Sequence, residues 1–196
     1  MAFSTPAWSN DNRWPGVWAA VALWLLVWSP PSPAESEFAV RAVESYLSGK
    51  VHHLDAEIDY SLTPEVLEAL QNGVPLNMEV QIEVYRDRWW WDEDVAALTQ
   101  RYRVQYHALT ERYLVENLNS GAPETYTSLP AALRALGRIR RLPLLDENLL
   151  EPGETYRARM RVELDNEALP APLRPLAYLS SHWRLGSEWY DWSLTD

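Results

Sequence analysis

The sequence predicts a mainly β domain: an antiparallel β-sandwich-like fold with two short helices, with an α+β arrangement as the alternative. Three observations lead to this prediction. Apolar and polar residues alternate over several segments, two other segments carry helix-start and helix-stop residues, and a short uncharged apolar segment precedes them all. Alternation with a period of two indicates strands whose sheet has one face on the core and one in water.

The first element is the apolar segment VWAAVALWLLVW, residues 17–28, which contains no charge. Arg13 precedes it and SPPSPAES follows, with the small residue Ala34, in the order found in secretory signals. A stable membrane span needs about 18 apolar residues, so this segment is short for one. We expect cleavage after Ala34, with a retained inner-membrane anchor as the alternative. The predicted organisation is a signal or anchor over 1–34 and one periplasmic β-rich domain over 35–196.

Three later segments show the alternation of a half-buried strand. From residue 54 to 62 the even positions are apolar and the odd ones polar, and residues 76–84 and 156–164 repeat the pattern. A hairpin is also predicted within 102–115, with its connection near Leu109 to Glu111. The residues expected to face the core are Leu54, Ala56, Ile58, Tyr60, Leu62, Leu76, Met78, Val80, Ile82, Val84, Tyr156, Ala158, Met160, Val162 and Leu164.

Two short helices interrupt the strands. In SLTPEVLEALQNG, Thr63 is placed to cap a helix, Pro64 takes its first position and Gly73 lies beyond its end. In SLPAALRALGRIRR, Ser128 is the expected cap and Gly137 the end. Each segment is long enough for about two turns, so both helices are expected to be minor elements packed on the sheets.

Composition excludes several classes of partner and chemistry. The chain has no cysteine, so it carries no disulfide, no thiol nucleophile and no lipid-modified cysteine. Its formal net charge of −11 repels nucleic acid and anionic lipid, and neither is an expected partner. The membrane is an expected contact only through residues 17–28, if they are retained.

No motif of a known catalytic mechanism occurs in the sequence. HExxH, GxSxG, SxxK and glycine-rich phosphate loops are all absent, and the chain has only 7 glycines. His52 and His53 are adjacent, so on a strand they point to opposite faces and cannot share a metal. We therefore expect no catalytic residue, no cofactor and no metal. A metal-dependent hydrolase, built from residues far apart in sequence, is the least favoured alternative.

Two charged clusters receive structural interpretations. The acids Asp92, Glu93 and Asp94 precede VAAL, and we interpret them as helix-capping residues in preference to a cation site. A basic cluster lies on and just after the second predicted helix, where cations complement the helix dipole. Its members are Arg134, Arg138, Arg140 and Arg141.

The stretch RDRWWWDED follows the strand predicted over 76–84. Continuing the even register would place Arg86 and Arg88 on the core face, where unpaired charge is costly. The strand is therefore expected to leave the core near Tyr85 or to change register there at a β-bulge.

The register decides which tryptophans of this stretch are exposed. With a bulge, Trp89 and Trp91 turn inward and Trp90 outward; without one, Trp90 covers the core and the other two are exposed. Tryptophan and tyrosine carry a large apolar area with a polar edge, which suits the core of a sandwich as well as a partner-binding surface. The residues predicted to bind a partner are Arg86, Arg88, Trp89, Trp90, Trp91, Trp183 and Trp189.

Several segments together resemble a bacterial family, domain-of-unknown-function family 4390. They are NGVPLNMEVQIEV, RDRWWWDED, RYRVQYHALTERYLV, YTSLPAALRALGRIRRLPL, YRARMRVELDNEALPAPL and HWRLGSEWYDW, and the resemblance covers most of residues 38–192. The most specific parts are YRVQYHALT–RY and the element Leu164, Asp165, Leu169, Pro170 and Pro172. Between the two prolines the family usually has a basic residue, whereas this chain has Ala171.

The resemblance implies an exported proteobacterial protein of no established activity, often encoded near a two-component sensor kinase. It carries over no catalytic residues. We expect a non-enzymatic envelope module that binds a protein through exposed aromatic side chains, with the periplasmic region of a sensor kinase as the suggested partner. The alternative is a small-ligand binder, in which an aromatic cleft of the sandwich takes up a lipid or a sugar.

Overall fold

The structure is a computed structural model that describes residues 38–87 and 92–194, all within one compact unit, Ser36–Asp196. The prediction of a mainly β domain is confirmed, since two antiparallel sheets account for most of its regular structure. The segment 17–28 lies outside the described residues. Among the helices that the structure describes, none has the length and apolarity needed to cross a membrane.

The smaller sheet has three strands in the order β1-β2-β7. They are β1 (Phe38–Ser48), β2 (Val51–Tyr60) and β7 (Arg138–Asp146). The predicted strand near 54–62 is confirmed as β2, whose even residues from His52 to Tyr60 are all buried. His52 is 1% exposed and its neighbour His53 is half-buried, so the two rings do lie on opposite faces.

The larger sheet has six strands in the order β6-β5-β4-β3-β8-β9. The predicted strands 76–84 and 156–164 are neighbouring interior strands of this sheet, and the predicted hairpin is the β4–β5 pair. Every predicted core residue of these two strands is buried, because their alternation matches the pleat of the sheet. The strands are β3 (Leu76–Asp87), β4 (Asp92–His107), β5 (Arg112–Asn117), β6 (Ala122–Tyr126), β8 (Tyr156–Leu164) and β9 (Tyr190–Ser193).

Both predicted helices are present, as α1 (Pro64–Gln71) and α2 (Leu129–Leu136). Thr63 caps α1, accepting a hydrogen bond from the Val66 amide at 3.4 Å, while the Ser128 side chain makes no such bond. A third helix, α3 (Arg174–Leu179), was not predicted. It has six residues, too few to show a helical period in the sequence.

A single apolar core joins the two sheets and the helices. The end of α2 lies close to β2, where the Ile58 amide donates to the Gly137 carbonyl at 2.9 Å. Glycine at 137 allows this close approach. A Cβ atom at Gly137 would lie 2.0 Å from the Ile58 carbonyl oxygen. At the sheet edges, the indole of Trp192 on β9 donates to the Ser45 hydroxyl on β1 at 3.3 Å, which links the two sheets.

Both interpretations of the charged clusters need correction. The acids 92–94 do not cap a helix but begin β4, where Glu93 pairs with Arg86 across the hairpin. Acids before an apolar segment can begin either a helix or a strand. Here the segment is a strand because it pairs with β3. Of the basic cluster, only Arg134 lies in the last turn of a helix. The other three arginines lie on β7, where Arg140 pairs with Glu57 at 2.8 Å.

The described domain has two ends that we name by their residues. The Phe38 end holds the start of β1, the helices α1 and α3, and the β4–β5 connection. Phe38 pairs with Tyr60, and Gln105 near the end of β4 donates to the Gly73 carbonyl just after α1 at 3.4 Å. The Gly49 end holds the β1–β2 turn and the β7–β8 loop, which are joined by a hydrogen bond from the Glu147 amide to the Lys50 carbonyl at 2.8 Å.

Candidate protein-binding face

The structure describes three of the seven residues predicted to bind a partner, and it does not bring them together. Trp183 belongs to the core and ends the 3-10 turn Ser181–Trp183, which contacts α1 and α3 at the Phe38 end. Arg86 lies at the Gly49 end, and Trp189 lies on the outer face of the larger sheet. Arg88, Trp89, Trp90 and Trp91 lie outside the described residues, so the question of which tryptophan is exposed stays a prediction.

Arg86 is buried, contrary to the expectation that the core face would exclude it. It keeps the even register of β3 and opposes Tyr156 on β8. Its Nη2 lies 2.7 Å from Glu93 and its Nη1 2.7 Å from Glu151. The hydrogen bonds that Arg86 donates to these carboxylates raise its pKa above its ordinary value. Two acids compensate its charge, so Arg86 is held in a structural ion-pair cluster.

The predicted register change exists, but it lies on the opposite strand. Val84 pairs with Ala96 and Tyr85 with Asp94, which leaves Val95 of β4 as the extra residue of a β-bulge. The pairing of β3 with β8 runs through this region without a shift. β3 therefore continues its alternation past Val84, and the bulge reshapes β4 instead.

Trp183, another of the residues predicted to bind a partner, is almost wholly buried. Only 7% of it is exposed, and it packs in the core with Leu169 and Leu185. Its carbonyl accepts a hydrogen bond from the Asn166 amide group at 2.9 Å. Trp183 closes the core at the Phe38 end, which is the ordinary role of a large aromatic side chain.

The candidate site is the outer face of the larger sheet, which we define as the side chains directed away from the core around Trp189. Three arginines at alternate positions of β8 form its central row and are paired with groups on β3 and β9. Arg159 binds Glu83 and Arg161 donates to Gln81 at 2.8 Å. The residues of this face are Gln81, Glu83, Tyr85, Arg157, Arg159, Arg161, Trp189 and Asp191.

Trp189 is held against this row by two cation–π contacts. Its ring lies 4.7 Å from the Arg159 guanidinium and 4.8 Å from that of Arg161. Arg159 also lies 5.5 Å from the Tyr85 ring, and the carboxylate of Glu83 raises the pKa of Arg159 through a hydrogen bond. Such contacts favour one orientation of the indole on a half-exposed surface. The result is an ordered, half-buried tryptophan on the water-facing side of a sheet.

A shallow depression of about 320 Å³ lies beside this row. The bulge at Val95 and the small side chain of Ala97 leave the space, and Glu83 and Arg159 form its charged rim. An extra strand residue locally increases twist and moves neighbouring side chains apart. The outer face thus offers a place for one side chain of a partner next to a fixed aromatic ring.

A second open cleft, of about 680 Å³, lies at the Gly49 end. Its lining is mainly polar, with the glutamates 147, 151 and 154 and the amide of Asn148, and with Tyr156 and Lys50. Within the described part of the chain, no three histidine, aspartate or glutamate side chains are grouped in a way that would hold a metal ion.

Sequence reasoning found part of this site and missed part. The outward direction of Arg157, Arg159 and Arg161 followed from the alternation of β8, and Trp189 was among the predicted residues. Glu83 and Tyr85 were not selected, because their nearness to β8 depends on strand order. Pairs with a sequence separation above 70, such as Glu83 and Arg159, leave no local signal.

Comparison with known proteins identifies the family and little beyond it. No curated protein matches the chain, and no solved structure matches it either. The model of one family, described as Domain of unknown function (DUF4390), matches residues 35–193. That range includes both sheets, the three helices and all residues of the outer face. The resemblance seen in the sequence is confirmed: the chain belongs to the family of the domain of unknown function DUF4390.

Proposed function

We propose that this protein is an exported, non-enzymatic envelope module that binds another protein through the outer face of its larger sheet. The observation that supports this proposal is the placement of Trp189 between Arg159 and Arg161 on the water-facing side. Tryptophan, tyrosine and arginine are the residues that contribute most binding energy in protein interfaces. Here tryptophan and arginine are presented on one face, and Tyr85, which is only 5% exposed, packs against the arginines.

The shape of this face suits a protein better than a small molecule. It is a sheet surface with one shallow depression, whereas small-ligand sites are concave and enclose most of the ligand. The ion pairs hold the arginines in place before any partner arrives, which reduces the entropy lost on binding. A partner would insert one side chain beside Glu83 and cover the indole of Trp189.

Charge makes this face approachable on an acidic protein. The three arginines of β8 are balanced by Glu83, Glu163 and Asp191, all within 4 Å of them. The chain as a whole has a net charge of −11, so most of its surface repels an acidic partner. The outer face repels an acidic partner much less, because its charges are balanced. Approach of a partner is therefore favoured there.

The cellular setting of the proposal comes from the leader-like segment and the family. A signal or anchor over 1–34 would place the domain in the periplasm. There the outward-facing region of a sensor kinase is the partner that we propose first. We also propose that the two sheets, which share one core, form a β-sandwich-like pair.

The experiment compares recovery of partners from envelope extracts by the tagged full-length chain and by a Trp189→Ala variant. We expect the variant to lose at least about nine-tenths of the recovered partner, since a central interface tryptophan contributes about 2 kcal/mol or more. The matched control is Leu149→Ala, an exposed residue at the Gly49 end, which should recover the partner fully. Equal recovery by the wild type and Trp189→Ala would show that the partner binds elsewhere.

Small-ligand binding is a second candidate, and the cleft at the Gly49 end favours it. The polar lining around Asn148, Glu151 and Tyr156 suits the hydroxyl groups of a sugar better than the chains of a lipid. Isothermal titration with oligosaccharides of the cell envelope tests it. Binding that is lost on Asn148→Ala, with Trp189→Ala unaffected, would support this candidate over the first.

A further inference from the structure

Exposed apolar side chains are concentrated at the Phe38 end of the domain. Leu176 is 58% exposed, Tyr178 56% and Leu179 84%, and all three belong to the six-residue helix α3. Leu109, on the β4–β5 connection at the same end, is 102% exposed. Large apolar side chains grouped in water indicate a surface that is covered in the working protein. We name the three residues of this helix, Leu176, Tyr178 and Leu179, the α3 patch.

The helix that carries the patch is firmly attached, so its outward side chains are directed into water by the fold. Ala177 is fully buried, and Leu169 just before the helix is 1% exposed. The Nε of Arg174 donates to the Leu169 carbonyl at 2.8 Å, which fixes the first turn. A loose surface segment would be free to turn its leucines inward, whereas α3 cannot do so without losing Ala177 from the core.

The α3 patch lies at the end where the chain enters the domain. The Phe38 amide donates to the Gly186 carbonyl at 3.4 Å, a few residues after α3 and its adjoining 3-10 turn. That turn is joined to the start of α1 by the Thr63 hydroxyl, which donates to the His182 carbonyl at 2.9 Å. Phe38, the first residue that the structure describes, therefore lies at the same end of the domain as α3.

The sequence before Phe38 indicates what covers the patch. The apolar segment 17–28 is separated from Phe38 by the nine residues 29–37, which span at most about 30 Å when extended. If 17–28 is held in a bilayer, the Phe38 end cannot move further from it than that distance. A tether of this length gives the patch a high effective concentration at the lipid surface.

The chemistry of the patch also fits an uncharged lipid surface. Residues 168–181 contain no acid and one base, Arg174, although the chain has a net charge of −11. Leucine lowers its free energy on leaving water, and tyrosine prefers the boundary between headgroups and acyl chains. The acidic remainder of the protein disfavours anionic headgroups, so the expected lipid is zwitterionic.

We propose that the α3 patch rests on the periplasmic leaflet of the membrane that holds residues 17–28. The proposal depends on the retained-anchor form of the proposed localisation, and not on partner binding at Trp189. Docking would fix the orientation of the domain on the membrane. The outer face and the Gly49 end would then be presented to other envelope proteins at a constant height.

The absence of cysteine makes a clean labelling experiment possible in the full-length chain. Leu176→Cys and Leu149→Cys place one thiol each on leucines that are 58% and 59% exposed, at opposite ends of the domain. Each variant is labelled with an environment-sensitive fluorophore and reconstituted into phosphatidylcholine vesicles containing a spin-labelled lipid. We expect the label at 176 to be quenched at least twofold and shifted to the blue, with the label at 149 unchanged.

Two further measurements make each outcome decisive. A label at Leu109→Cys should be quenched in the same way. This quenching should disappear when Leu176 and Leu179 are both replaced by serine. Flotation with the vesicles, and the mass of the chain recovered from cell membranes, establish whether 17–28 is retained. If the chain keeps residues 17–28 and floats with the vesicles but its label at 176 is not quenched, the docking proposal is wrong and the anchor stands. Cleavage after Ala34 overturns both the anchor and the docking, while the Trp189 partner test stands independently.

Discussion

Arg159 and Glu83 meet through two hydrogen-bonding nitrogens, with the arginine Nε at 2.7 Å and Nη2 at 2.6 Å from the same carboxylate oxygen. Both side chains remain about one-third exposed, so water screens the pair and limits its contribution to stability. The pair instead determines where the Arg159 guanidinium lies relative to the Trp189 ring. A change that breaks this pair should therefore affect partner binding more than it affects the stability of the fold.

The first prediction concerns Glu83→Gln. We expect the free energy of unfolding to fall by no more than about 1 kcal/mol, because the ion pair is partly exposed. Partner recovery should fall severalfold, because Arg159 is no longer fixed over Trp189. The control is Asp59→Asn, which removes an exposed ion pair with Arg41 on the smaller sheet. If both variants bind the partner equally well, the orientation of Arg159 does not matter for binding.

The second prediction concerns the buried Arg86. Replacing both Glu93 and Glu151 by glutamine leaves a buried cation without a counter-charge, whereas Arg86→Met leaves two acids that water can reach. Removing the partners of a buried charge costs more than removing the charge itself. In urea denaturation we expect the double variant to lower the midpoint roughly twice as far as Arg86→Met. The reverse order would mean that the guanidinium is already solvated in the folded protein.

The third prediction concerns the phenol of Tyr60, which is buried with no hydrogen-bond partner among the described residues. A buried hydroxyl without a partner has lost its hydrogen bonds to water, which destabilises the folded state. We therefore expect Tyr60→Phe to stabilise the fold by about 1 kcal/mol. Burial also raises the pKa of Tyr60 above its ordinary value. The unfolded chain ionises first, so the wild type should lose stability as the pH rises above about 10. Thermal melts between neutral and alkaline pH should show a weaker decline for Tyr60→Phe than for the wild type.

The fourth prediction concerns Gly137, where α2 meets β2. An alanine Cβ would lie 2.0 Å from the Ile58 carbonyl oxygen, so the helix has to move away from the strand. We expect Gly137→Ala to lower the free energy of unfolding by about 2 kcal/mol. Ser128→Ala, at the other end of the same helix, removes no side-chain capping bond and should change it by less than about 0.5 kcal/mol. Equal effects would indicate that α2 tilts freely.

The sequence predicted those elements whose signals are local. Alternation located β2, β3 and β8, and the residues Thr63, Pro64 and Gly137 located two helix boundaries. Elements fixed by distant contacts were missed or misread. The acids before VAAL looked like a helix start because their cross-strand partners are not visible in the local sequence.

The candidate site divides in the same way. Trp189 and the arginines of β8 were predicted to be outward or partner-binding from composition and period. Trp183 carried the same composition signal but lies in the core, since composition does not distinguish a covered aromatic ring from a presented one. The burial of Arg86 depends on Glu151, which is 65 residues away in the chain.

The position of β8 between β3 and β9 has a consequence for how the protein folds during synthesis. Met78 pairs with Leu164, so the larger sheet joins segments that are synthesised far apart. Sheets of such high contact order fold slowly, because the entropy of closing a long loop is lost before the strands pair and stabilise the sheet. The sheet cannot be completed until β8 and β9 have left the ribosome. Late completion of this sheet would be compatible with the proposed export, since a chain has to pass through an export channel before it folds.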